Sequence, residues 1–89
     1  MATFLIGYDL NRPVQNYSNL IEAIKKIGAW WHHLDSTWIV KSESSTSAIR
    51  DYLRPHIDAN DELLVVKLSG SGAWSGFDSS GSSWLKSNL

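Results

Sequence analysis

The sequence predicts an α/β (α+β) domain whose elements run strand, helix, strand, strand, helix, strand. Three observations carry that prediction. Runs at 3–9 and 63–68 have strand length and are apolar at both parities, as in strands covered on both faces. Apolar residues recur at helical spacing over 20–27 and 48–53. Between them lies a run rich in Trp, Val, Ile and Thr, interrupted by Asp35-Ser36 as a hairpin would be.

In the first strand, Phe4, Ile6 and Tyr8 share one parity and Leu5, Gly7 and Asp9 the other. Asn11-Arg12-Pro13 breaks it, because Pro13 has no N–H for a ladder. Asn16 is the expected cap of the first helix, through a side-chain oxygen that can accept a first-turn N–H. Leu20, Ile24 and Ile27, with Ile21 beside them, form its apolar face. Gly28 is expected as its left-handed C-terminal cap.

The hairpin is expected over 29–34 and 37–41, with Trp30, His32 and Leu34 on one face and Trp31 and His33 on the other. Ser44 or Ser45 caps the second helix, whose face is Ala48, Ile49, Tyr52 and Leu53; Pro55 ends or bends it. Asp58-Ala59-Asn60-Asp61 is turn chemistry, and 63–68 is the fourth strand. The remaining Ser- and Gly-rich stretch carries Trp74, Phe77, Trp84 and Leu85, which a pure linker would not. It is read as loops at 69–72 and 79–83 and a short helix at 83–89, docking on the body. The division is thus residues 1–68 as the domain and 69–89 as a tail docked on it.

Right-handed crossovers place both helices on one sheet face and give a ferredoxin-like βαββαβ fold with antiparallel strand order 4-1-3-2. Strands one and three are then neighbours, and Asp9 is expected beside Ser36. The opposite apolar face needs cover from the tail, a second subunit, or both.

Composition narrows the partners. The 89 residues make one domain and include five tryptophans and no cysteine, which excludes disulfides, thiolate metal sites and cysteine nucleophiles. Net charge is −1 and the pI is about 6.2, without the basic stripe of a dedicated nucleic-acid binder. The opening residues lack a basic n-region, and no apolar run approaches the roughly 20 residues of a membrane span. A cytoplasmic protein with no membrane partner is expected.

Gly7-Tyr8-Asp9-Leu10, Trp30-Trp31-His32, 34–40, 63–68 and Ala73-Trp74-Ser75-Gly76-Phe77 together resemble the SinR family of small uncharacterised proteins, over nearly the whole chain. The layout is more distantly similar to the small CRISPR-associated adaptation subunit and to the virulence-associated D ribonucleases. That resemblance implies a ferredoxin-like fold, a homodimer and an aspartate at the end of strand one, matched by Tyr8-Asp9. It also implies a serine at the start of strand three, matched by Ser36-Thr37-Trp38. The tail departs from the adaptation subunit: it is Trp-, Gly- and Ser-rich where that family has a fifth strand.

Asp9 is the leading candidate site residue. A strand-end carboxylate suits a hard divalent cation, Mg or Mn, which would activate water against a phosphodiester. Asp35 is a second candidate ligand and the Ser36 hydroxyl a supporting catalytic group. The competing role of both aspartates is to organise turns. His32 and His33, adjacent in a strand, point to opposite faces and cannot grip one ion. Two functions follow. The preferred one is a non-catalytic dimeric interaction module of a defence, toxin or phage-related system, its partner itself and a candidate second protein. The alternative is a metal-dependent nuclease cleaving RNA or DNA through Asp9 at a dimer interface. Whether the chain is an enzyme stays open at this point.

Overall fold

The computed structural model describes residues 1–10 and 17–89, so the expected break at 11–13 and the Asn16 cap lie outside the described residues. The elements are β1 (Ala2–Asp9), α1 (Ser18–Lys25), β2 (Trp30–His32), β3 (Thr37–Ser42), α2 (Thr46–Leu53), a 3₁₀ turn (Arg54–His56), β4 (Glu62–Lys67) and α3 (Ser79–Asn88). The strands form one antiparallel sheet in the order β2-β3-β1-β4, an order of the ferredoxin-like type that reads 4-1-3-2 from the β4 edge. β1 pairs with β3 over Ala2–Gly7 and with β4 over Phe4–Asp9.

One sheet face packs against α1 and α2. Phe4 and Ile6 of β1 and Trp38 and Val40 of β3 meet Leu20, Ala23 and Ile24 of α1 and Ile49 and Leu53 of α2, all buried. The i, i+4 pairs Leu20–Ile24 and Ile49–Leu53 show why these segments are helical: each puts two branched side chains on one stripe facing the sheet. Ser45 caps α2, its hydroxyl accepting the Ala48 N–H at 3.1 Å. Tyr52 stays half-exposed and donates its hydroxyl to the Ala23 carbonyl at 3.0 Å, tying α2 to α1.

Two expectations near here are corrected. Gly28 is not a left-handed cap; the left-handed glycines among the described residues are Gly70 and Gly76. Gly28 is required for a different reason, since any Cβ there would collide with the Lys41 carbonyl oxygen. The second strand also ends early, at His32 rather than 34. Strand alternation therefore stops before Leu34, which lines the opposite side of the sheet from Trp30 and His32.

The other sheet face is covered by the tail. Trp31, Ile39 and Leu85 form a second buried cluster, with Leu68, Trp74, Phe77, Trp84 and Leu89 packed against it. Polar anchors fix the tail: the Thr3 hydroxyl donates to the Asn88 carbonyl at 2.7 Å, and the Trp74 indole N–H to the Ser82 hydroxyl at 3.1 Å. α3 begins at Ser79, so the stretch expected as a loop over 79–83 is helical. Asp78 supplies what the serines and glycine lack in propensity, its carboxylate accepting the Gly81 N–H at 2.8 Å. The result is three layers: α1 and α2, the sheet, then α3 with its leading strap.

Candidate functional site

The candidate residues lie at the end of the sheet where β1 finishes. Gly7 is paired with Thr37, and the Tyr8 N–H donates to the Ser36 carbonyl at 3.1 Å. Tyr8, not Asp9, is therefore the residue beside Ser36. Asp9 instead faces Glu62, its register partner at the start of β4. Directly opposed residues of an antiparallel pair share a face, so these two carboxylates stand on the tail side of the sheet. Both are exposed.

Asp35 and Ser36 sit in the exposed turn between β2 and β3, closed by the Thr37 N–H on the Leu34 carbonyl at 3.2 Å. The Asp35 carbonyl accepts His32 Nε2–H at 3.1 Å. These are turn-organising contacts; the β1–β3 pairing ends at Gly7–Thr37, so this turn stands beside the end of β1 on the side opposite Glu62. Among the described residues no three His, Asp or Glu side chains come together as a metal-holding group. Glu62 is the member of this corner that sequence reasoning missed. The available signal was the second neighbour of β1: antiparallel pairing with β4 brings the start of β4 to the end of β1.

An open depression of about 380 Å³ adjoins the carboxylate pair, lined by Gly7, Tyr8, Asp9, Glu62, Leu63 and Leu64. Leu64 is 57% exposed at the middle of an edge strand.

The aromatic residues are mostly committed to packing. The His32 ring stacks on Trp38 with centroids 3.8 Å apart and planes 8° from parallel. Trp30 tilts against the same indole at 5.2 Å, and Lys25 Nζ lies 5.3 Å over the Trp30 ring. The Trp38 N–H donates to the Tyr8 hydroxyl at 3.0 Å. On the other face His33 meets Phe77 edge-on at 5.0 Å. His32 and His33 thus stand on opposite faces, as strand alternation requires.

No protein-family model matches this chain, and no solved structure is significantly similar to it. Its chemistry is therefore read from three local features: the Asp9–Glu62 pair, the exposed β4 edge beside it, and a separate apolar cavity under the tail. No helix among the described residues is long and apolar enough to cross a membrane.

Proposed function

We propose that this chain is a ferredoxin-like domain acting as a non-catalytic, dimeric interaction module that self-associates through the β4 edge. The observation that carries the reading is the exposure of Leu64 on β4, an edge strand with no further strand paired to it among the described residues. An edge presents a row of backbone N–H and C=O groups free to pair with another strand. β4 has six residues, Glu-Leu-Leu-Val-Val-Lys, with charges at its ends only; the other edge, β2, has three. A two-fold axis perpendicular to the sheet sets same-face residues opposite one another, and an axis through Leu64 brings each Leu64 against its counterpart. The sheet then runs continuously through both copies. The setting in a defence, toxin or phage-related system follows from the resemblance to the SinR family and the adaptation subunit.

Light scattering on a size-exclusion peak tests this. The expected mass is twice 10.0 kDa. Leu64→Lys should return it to the monomer value with an unchanged circular dichroism spectrum. A wild-type monomer across micromolar concentrations would sink the proposal.

A second reading, a metal-dependent nuclease, is favoured by one observation, the Asp9–Glu62 pair. Carboxylate oxygens suit Mg²⁺ or Mn²⁺, which supply Lewis-acid activation of water when bound. Asp9 and Glu62 would hold the ion on the tail side of the sheet. Asp35 and Ser36, in the turn on the other side of β1, remain candidate helpers of Asp9 in this reading. Cleavage of unstructured RNA or DNA that is sensitive to EDTA and abolished by Asp9→Asn would establish this reading over the first. Purified protein without such cleavage favours the module.

A further inference from the structure

The tail does not close completely on the sheet. A solvent-open pocket of about 320 Å³ remains between them, with Leu5, Ile39 and Leu68 on the sheet side and Trp74 and Phe77 on the tail side; Trp31 also lines it. None of the described lining residues carries an ionisable side chain, and the polar side chains are the hydroxyls of Thr37, Ser71 and Ser75 with the indoles of Trp31 and Trp74. The strap that forms the tail-side wall is bracketed by two left-handed glycines, Gly70 at φ +93° and Gly76 at φ +85°. Its Trp74 ring is held by the hydrogen bond to Ser82. The wall is thus a defined piece of structure with its own turns and anchor.

We propose that this cavity is a binding site for a neutral, compact, mostly apolar small molecule. Its volume is about twice the roughly 150 Å³ that accommodates one benzene, which suits two fused rings. Aromatic and aliphatic walls with a few hydroxyls are the composition of small-molecule pockets at the low end of their size range. An anionic ligand would lose hydration with no cationic side chain among the described lining residues. The site is distinct from the β4 edge and does not depend on dimerisation.

Titrating naphthalene into the full chain, followed by ¹H–¹⁵N NMR of the indole N–H groups, tests the proposal. The expected result is saturable shifts centred on Trp31 and Trp74, with one ligand per chain. Naphthalene-1-sulfonate should bind at least about tenfold more weakly, because its charge must be desolvated. Leu34→Trp at the half-exposed rim and, independently, Ala73→Trp on the strap should each weaken naphthalene binding about tenfold or more by filling the space it needs. Non-saturating shifts, equal binding of the sulfonate, one ligand per two chains, or unchanged affinity in both folded variants would each overturn it.

Discussion

The indole N–H of Trp38, a side chain only 1% exposed, ends on the Tyr8 hydroxyl. Tyr8→Phe keeps the ring and removes the acceptor, leaving a buried donor unsatisfied. The expected loss is about 1–3 kcal/mol in urea unfolding. Two glycines make a matched pair at the same scale. Gly28→Ala drives a Cβ into the Lys41 carbonyl oxygen, part of the backbone that accompanies the Lys41 N–H bond to Ala29. Overpacking of this kind should cost about 1–3 kcal/mol. Gly7→Ala meets Leu5 Cδ2 at 3.7 Å, an ordinary contact, so it should be neutral or gain up to about 1 kcal/mol by relieving a glycine within a strand. Equal effects of the two alanines, measured by thermal melting, would contradict this account of Gly28. The sequence made Gly28 look like a cap because helix ends favour glycine. Its actual constraint is an approach to a strand far along the chain, which no local pattern carries. The same holds for Asp9: its face was legible from alternation, but its neighbours depended on register, which sets Tyr8 beside Ser36 on one side of β1 and Asp9 beside Glu62 on the other.

At the scale of elements, legibility followed the strength of the apolar period. α1, α2, β1, β3 and β4 each repeat a buried stripe or alternate about one, and each lies where that period puts it to within a few residues. β2 fell short because His33 and Leu34 continue the alternation of the run beyond His32, where pairing with β3 ends. α3 was longer than expected because serine and glycine argue against helix, while a cap and docked side chains override propensity. That explanation has a direct consequence. Asp78→Ala removes the acceptor for Gly81 N–H and should lower stability by about 1 kcal/mol, comparable to Ser45→Ala at the cap of α2. Leu85→Ala, in the one side chain of α3 that is fully buried, should cost about 2–5 kcal/mol. If Asp78→Ala left α3 amide exchange and the urea midpoint unchanged, docking alone would be holding the helix.

For the whole molecule the decisive fact is that two unequal cores share one sheet. The helix-side core unites nine buried residues from β1, β3, α1 and α2. The tail-side core has three, surrounded by partly buried aromatics, and contains the apolar cavity. Fewer buried contacts and a void on one side mean that the tail layer resists opening less than the rest. Among the described residues it is joined to the sheet by the Thr3–Asn88 hydrogen bond and the packing of Leu85 and its neighbours. β1 and β3, by contrast, are the central strands, and one of their faces belongs to the larger core. Native-state hydrogen exchange should therefore resolve two units. The α3 amides, Ser82 among them, should open with a free energy at least about 1 kcal/mol below that of the β1 and β3 amides, and with a weaker dependence on denaturant. Naphthalene bound in the cavity should raise the protection of α3 selectively, because a ligand held between the layers stabilises only states in which they are closed. Identical opening free energies for α3, β1 and β3 would mean a single cooperative unit, and the separation into two energetic layers would not hold.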